Sequence, residues 1–282
     1  MTDLITEIRI GNVSADSSKA DEDDPRGQLL MWEGPSSGHD YIIGVDPTFG
    51  RAGWSRASRR DSDDQIDNAA IEVFRRGSKR EGKPDVQVAE YAAPLDSEDL
   101  AEVVNFVGRL YGGRHEEGQA LVCVEVYPGT GWLVQRELIS KFGYVHLPPW
   151  LVEGAGLSQR LTHKYGWISN SSTRRDLWTR GTAHLHRHGV VLHSPWLVEE
   201  MVDCTPDNFL SVTARSLGGR HDDRVVAMLI ALWYANEWRM GAEPEEPVIQ
   251  DEPGGDWQSS AISAADMEAR WAERVAELAE ES

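Results

Sequence analysis

Short apolar runs, bounded by glycine, proline or polar residues, dominate the first half of the chain and predict β-strands. The clearest is Tyr41–Asp46, which ends in an acid and is followed by Pro47. Ser97 is a suitable N-cap for a helix that extends to Leu110, because apolar residues recur there at helical spacing. Further strands are predicted over residues 29–33, 69–74, 86–91 and 121–127.

Helical spacing of apolar residues becomes the main pattern in the second half of the chain. Helices are predicted from residue 131 onward and over residues 173–188, 195–202 and 225–238, with a short strand over residues 190–192. Strands that come first and are later interleaved with helices are typical of an α/β fold. We therefore expect a mixed central β-sheet flanked by helices.

The 282 residues carry a formal net charge of −19. Taken alone, this charge argues against a nucleic-acid partner, because phosphates repel an acidic protein. However, residues 1–24 contribute a net −5 and residues 241–282 a net −10, which leaves −4 for the middle. The charge therefore does not exclude DNA from the middle of the chain.

Composition and charge together predict three regions. Residues 1–27 are expected to be an acidic N-terminal tail, and residues 28–240 to be the folded domain. Residues 241–282 are expected to hold an acidic linker and a C-terminal amphipathic helix. The apolar stripe of that helix suits docking on its own domain or on a partner equally well.

Several classes of protein are not expected. The longest apolar runs are too short to span a bilayer, and the N-terminus lacks the features of a secretory signal. Two cysteines, Cys123 and Cys204, are too few for a disulfide framework, which favours a reducing cytoplasm. The only Gly-Lys pair, Gly82 with Lys83, precedes a proline and lacks the upstream glycine of an ATP-binding loop. We therefore expect no ATPase motor in this chain.

Acids occur at positions that would otherwise be apolar. Asp46 ends one predicted strand, Glu125 lies near the end of another, and Asp222 and Asp223 precede an apolar helix. Each alone could face solvent at an edge or cap a helix. If the strands of Asp46 and Glu125 are neighbours that point the same way, and the helix brings Asp222 or Asp223 to the same place, the acids form a carboxylate cluster, which hard cations such as Mg²⁺ or Mn²⁺ would stabilise. Two such ions, ~3.5–4 Å apart, can cleave a phosphodiester.

Two locally basic stretches, residues 51–83 and 160–188, stand out in this acidic chain. A charge run is most often a solvated face, but the pair suggests a surface that contacts phosphates. We also expect His184, His186 and His188 to face solvent or a DNA backbone, and most tryptophans to pack in the core. The candidate DNA-binding residues are Arg51, Arg56, Arg59, Arg60, Lys164, Arg174, Arg175 and Arg180.

Six short motifs occur in the order found in a known family. They are residues 41–50, 67–73, 122–131, 164–167 with 172–174, 197–201 and 219–227. In these motifs the chain resembles the nuclease domain of the large terminase subunit of tailed bacteriophages, which has an RNase H-like fold. The resemblance implies a metal-dependent endonuclease that cuts concatemeric double-stranded viral DNA during genome packaging.

The same resemblance assigns roles to individual acids. Asp46, Glu125 and Asp223 would be catalytic and would hold two Mg²⁺ or Mn²⁺ ions. Asp222 would replace or assist Asp223, because the sequence does not separate the two. Asp67 matches a further acid of the family, and the longer segment before it is an arginine-rich loop expected near the DNA.

The resemblance also implies partners and a location. These are double-stranded DNA, a separate ATPase motor, a small terminase subunit and a portal protein, in the host cytoplasm and away from any membrane. The chain would be either an excised domain or a separately encoded nuclease. Two alternatives stay open: a Holliday-junction resolvase or transposase-like nuclease of the same fold, and an assembly module that docks through its C-terminal tail.

Overall fold

A computed structural model of the chain describes residues 7–10, 27–47, 68–78, 81–115, 118–126, 131–153, 159–206, 209 and 222–237. The chain divides into two units, Met1–Met240 and Gly241–Ser282. The second unit lies outside the described residues, so the linker and amphipathic helix expected there stay predictions.

The described strands form one large sheet and one separate pair. The large sheet has the order β1-β2-β5-β4-β3-β6-β9, with β10 beside β5, and β7 pairs with β8. The strands are β1 (Glu7–Ile10), β2 (Gln28–Met31), β3 (Tyr41–Asp46), β4 (Ala69–Arg75), β5 (Asp85–Ala93), β6 (Leu121–Val126), β7 (Pro149–Glu153), β8 (Gln159–Tyr165), β9 (Trp167–Ile168) and β10 (Val190–Val191).

The large sheet is mixed. Strands β2, β5, β4 and β3 are antiparallel to their neighbours in that order, whereas β3, β6 and β9 are parallel. Five helices are described: α1 (Ser97–Leu110), α2 (Gly131–Ser140), α3 (Ser171–His188), α4 (Pro195–Asp203) and α5 (Asp223–Glu237). The expected α/β class, with a mixed sheet flanked by helices, is confirmed. None of the described helices is both long and apolar enough to cross a membrane.

The sheet separates two hydrophobic cores. On one face, Val45 of β3 packs among apolar residues of α1 and α2. On the other face, Ile42 of the same strand packs among apolar residues of α3, α4 and α5. Because successive strand residues point to opposite faces, Asp46 shares the α5 face with Ile42.

Gly44 explains how closely α5 approaches the sheet. A Cβ atom placed on Gly44 would lie 1.9 Å from the carbonyl oxygen of Ala227 in α5. Only a residue without a side chain allows helix and strand backbones to approach this closely. The glycine in the first motif therefore brings the start of α5 down onto the end of β3.

Some predictions needed correction. Glu7–Ile10, inside the expected N-terminal tail, forms β1 and pairs in parallel with β2, because the acidic surroundings hid a short alternation of isoleucine and charged residues. Asp96, not Ser97, caps α1, since its carboxylate accepts hydrogen bonds from the backbone N–H groups of Glu98 and Asp99. The β7–β8 pair was not predicted, because polar residues make up most of β8.

Candidate acidic site

Two strand ends place a pair of acids at one edge of the sheet. Val45 pairs with Val124 across the parallel strands β3 and β6, and Asp46 and Glu125 follow one residue later on their strands. Both alternate with residues of the α5 core, so both point toward α5. Asp46 is 5% exposed and Glu125 is 3% exposed.

The start of α5 brings two more acids to this edge. Asp222 and Asp223 are 8% and 7% exposed. The Oδ2 atom of Asp223 accepts a hydrogen bond of 3.2 Å from the backbone N–H of Asn68, just before β4. Since Ala70 of β4 pairs with Asp46, this bond fixes the first residue of α5 beside the end of β3. We refer to Asp46, Glu125, Asp222 and Asp223 as the acidic site.

A buried arginine lies between two of these acids. Arg174, in the first turns of α3, is 4% exposed. Its Nη2 atom lies 3.5 Å from Oε1 of Glu125, and its Nη1 atom lies 3.9 Å from Oδ2 of Asp222. One guanidinium therefore carries a positive charge into the acidic site and contacts two of its carboxylates.

Neutral groups hold this guanidinium in place. Nε of Arg174 donates to the hydroxyl of Ser169 at 3.3 Å, and Nη1 donates to the backbone carbonyl of Phe209 at 3.1 Å. The guanidinium carbon also lies 5.0 Å from the centre of the Phe209 ring, within the range of a cation–π contact. Arg174 therefore has partners in the site besides the acids.

Arg174 was predicted to contact a DNA backbone from an exposed basic face, and its burial corrects that prediction. The sequence carried a signal for burial, because Arg174, Leu177, Gly181 and His184 are spaced by three or four residues along α3. All four residues are buried, on the inner face of the helix. The neighbouring Arg175 is exposed, and its predicted role in DNA binding stays a prediction.

The structure describes only some of the other residues that were predicted to belong to the site. Arg180 is partly exposed on α3, and Lys164 lies in β8, where the backbone alone is described. Five predicted residues lie outside the described residues: Arg51, Arg56, Arg59, Arg60 and Asp67.

The acidic site offers ligands of the kind that a divalent cation binds. Its donors are all carboxylate oxygens, which Mg²⁺ and Mn²⁺ prefer. Within the part of the chain that the structure describes, no three His, Cys, Asp or Glu side chains are close enough to hold one metal ion. Arg174, which contacts Glu125 and Asp222, already supplies positive charge to two of the four acids. The donor chemistry fits a divalent cation, but the carboxylates do not form a closed coordination shell.

A second buried charge network adjoins the acidic site. Arg224, the residue after Asp223, donates from Nε to Oε1 of Glu90 at 3.0 Å and from Nη1 to Oε1 of Glu200 at 2.6 Å. The other oxygen of Glu200 accepts from the backbone N–H of Arg224 at 3.0 Å. These bonds connect the start of α5 to both β5 and α4.

Glu72 completes this network on β4. It is fully buried and lies opposite Glu90 in the sheet, and Nε2 of Gln87 donates to its Oε2 at 2.7 Å. Burial, reinforced by the nearby Glu90 carboxylate, holds the pKa of Glu72 well above its usual range. The network was missed in the sequence, although Glu72 interrupts an apolar strand in the same way as Glu125 does.

His184 contradicts the prediction that it faces solvent. It is 3% exposed, and its Nε2 lies 2.7 Å from Oδ2 of Asp85 at the start of β5. Burial raises the pKa of Asp85, but the contacts with His184 and the backbone N–H of Gly77 outweigh it and lower the pKa overall. His186 is exposed, in agreement with the prediction, and for His188 the structure describes the backbone alone.

The fold and the site together define an α/β protein with a buried acidic site where two parallel strands end. No model of a known protein family matches the chain, and no curated protein matches it.

Proposed function

We propose that this protein is an endonuclease that uses Mg²⁺ or Mn²⁺ to hydrolyse DNA. The observation that carries the proposal is the burial of Asp46, Glu125 and Asp223, each less than a tenth exposed, at one edge of the sheet under α5. Grouping ionised carboxylates away from water costs free energy that bound cations offset. A site of this kind supplies the oxygen ligands that divalent metal ions prefer.

The order of the elements supports an RNase H-like fold. Three antiparallel neighbours, β5, β4 and β3, are followed in the sheet by two strands parallel to β3, namely β6 and β9. The acids lie on β3, on β6 and at the start of the later helix α5, in the order of the terminase motifs. This arrangement agrees with what the resemblance implies.

In this proposal Asp46, Glu125 and Asp223 hold the cations, and Asp222 assists or replaces Asp223. The bound metal would generate the attacking hydroxide and stabilise negative charge on the phosphate. The protein's own contribution is orientation. The N–H of Asn68 holds Asp223, and the register of β3 and β6 fixes the strand ends that carry Asp46 and Glu125.

We further propose the substrate class and partners. The substrate would be concatemeric double-stranded viral DNA, and an ATPase motor, a small terminase subunit and a portal protein would be partners in the host cytoplasm. Support comes from the six motifs in the terminase order and from the charge of −4 on residues 25–240, far closer to balance than the whole chain. A nearly neutral domain repels DNA weakly and would depend on a motor to deliver it.

Cleavage of a supercoiled plasmid tests the proposal. Nicking is expected with Mn²⁺ or Mg²⁺ and not with EDTA. Asp46→Asn should reduce the rate by about 100-fold or more, since even an outer-sphere partner of a metal can be worth that much. The matched control is Asp176→Asn, which removes an exposed acid of α3 and should leave the rate unchanged.

Two results would contradict the proposal: cleavage that persists in EDTA, and full activity of Asp46→Asn. Comparison of a four-way junction with a linear duplex addresses the substrate. Faster cleavage of the junction would favour the resolvase alternative over a terminase.

A further inference from the structure

Arg174 stands out because it is a buried cation inside the site that is proposed to bind cations. Its guanidinium contacts Glu125 at 3.5 Å and Asp222 at 3.9 Å. The side chain is almost fully shielded from solvent at 4% exposure. Charges in such surroundings are screened weakly, so each one strongly affects the binding of the next.

The position of the guanidinium is fixed independently of the carboxylates. Ser169 and Phe209 accept two of its N–H groups, and the Phe209 ring lies alongside it. Among the described residues, the Nη2 atom has no hydrogen-bond partner, so its contact with Glu125 is an electrostatic one. What Arg174 supplies to the acids is therefore mainly a positive charge at a fixed place.

We propose that Arg174 is a resident counter-ion of the acidic site. It neutralises part of the charge on Glu125 and Asp222 when no metal is bound, which stabilises the metal-free fold. It also lowers the affinity of these two acids for a divalent cation, because the guanidinium repels the incoming ion. The inference rests on the proposed function, since it assumes that the acidic site binds Mg²⁺ or Mn²⁺.

Removal of the Arg174 charge should destabilise the metal-free protein and favour the metal-bound one. Without Arg174 the acids repel one another, so the metal-free protein becomes less stable. The same unbalanced charge attracts a divalent ion more strongly, so metal affinity rises. Charges a few ångströms apart in a partly buried site interact strongly enough to change affinity by about tenfold or more.

Titration calorimetry with Mn²⁺ tests the inference on the full chain. Arg174→Met should bind Mn²⁺ about tenfold more tightly than the unmodified protein. Arg174→Lys keeps the charge and should bind within about threefold of the unmodified protein. Arg187→Met is the matched control, because it removes one exposed arginine of the same helix and should leave the affinity unchanged.

A thermal melt provides a second measurement for Arg174→Met. In EDTA its Tm should be lower than that of Arg187→Met, and saturating Mn²⁺ should raise its Tm by more than it raises the Tm of the unmodified protein. If the variant is unfolded in EDTA, Mn²⁺ should restore its folded circular dichroism spectrum. Failure of Mn²⁺ to do so would overturn the inference.

The results separate this inference from the proposed function. If the unmodified protein binds Mn²⁺ and nicks DNA, but Arg174→Met binds Mn²⁺ no more tightly, the counter-ion role is wrong and the nuclease proposal stands. An equal gain in Arg187→Met would also overturn the role, because overall charge would then explain the effect. If the unmodified protein neither binds Mn²⁺ nor nicks DNA, both proposals are wrong.

Discussion

Glu72 on β4 and Glu90 on β5 lie directly opposite one another in the sheet, and both are almost completely buried. Two carboxylates in this relationship cannot both be ionised at low cost. Arg224 contacts Glu90, while the amide of Gln87 contacts Glu72. Burial and the neighbouring carboxylate raise the pKa of Glu72, so this glutamate takes up a proton more readily than an exposed one does.

Glu72→Gln should make the protein more stable than the unmodified protein, and this difference should grow as the pH rises. The folded-state pKa of Glu72 is above its unfolded value of 4.5. The protonated carboxyl therefore makes its full contribution to stability at a pH below the unfolded value. This contribution is lost as pH rises through the folded pKa. A glutamine resembles the protonated acid and does not ionise. Urea unfolding near pH 5, 7 and 9 should show a growing advantage for Glu72→Gln, and none for the exposed Glu199→Gln.

Arg224→Met should destabilise the fold by about 3–5 kcal/mol, because it leaves the buried carboxylates of Glu90 and Glu200 without their cation. Arg224→Lys keeps the charge but cannot reproduce both hydrogen bonds, so an intermediate loss is expected. Urea denaturation at pH 7 measures both variants. A loss of less than about 1 kcal/mol for Arg224→Met, the usual size for an exposed ion pair, would contradict this assignment.

Gly44→Ala should destabilise the protein by about 3 kcal/mol or more, because a backbone must move to admit the methyl group. The added Cβ would lie 1.9 Å from the carbonyl oxygen of Ala227. Gly34→Ala is the matched control, since its Cβ would have no atom within 4 Å. Thermal melts of the two variants should therefore differ clearly, and equal Tm values would contradict the close approach of α5.

Asp85→Asn should destabilise the protein at neutral pH and much less in acid. The folded-state pKa of Asp85 is below its unfolded value of 3.8, so its contribution is present above that value and is lost as pH falls through the folded pKa. At pH 7 the loss should be about 1–3 kcal/mol, as for a buried hydrogen bond to a charged group. Thermal melts near pH 7 and pH 3 compare Asp85→Asn with the exposed Asp176→Asn. A constant difference at both pH values would contradict the assignment.

The sequence predicted the described strands whose residues face a core on both sides of the sheet. Tyr41–Asp46 and Leu121–Val126 are nearly continuous apolar runs, and such runs identify buried parallel strands well. Strands β7 and β8 form a separate pair, and the polar composition of β8 gave no such signal. Cap positions shifted by a residue or so, because several neighbouring polar residues can cap the same helix.

The acids of the site could be predicted, because an acid in an apolar strand is conspicuous without any knowledge of its neighbours. Their cationic partner could not. Arg174 lies 49 positions after Glu125 and 48 before Asp222, and only folding brings the three together. Composition alone classed Arg174 with its exposed neighbour Arg175. The positions of the two arginines around the axis of α3 distinguish them. These positions can be assigned only when the start of the helix at Ser171 is known.

Helix α3 is attached to the sheet at two separate points. Arg174 contacts the acidic site where β3 and β6 end, and His184 contacts Asp85 where β5 begins. Ten residues of helix, about 15 Å, separate the two contacts. The helix cannot slide along the sheet without breaking one of these two buried contacts. A change of charge at the acidic site therefore leaves the far end of α3 attached, because the contact of His184 with Asp85 does not involve the acids of that site.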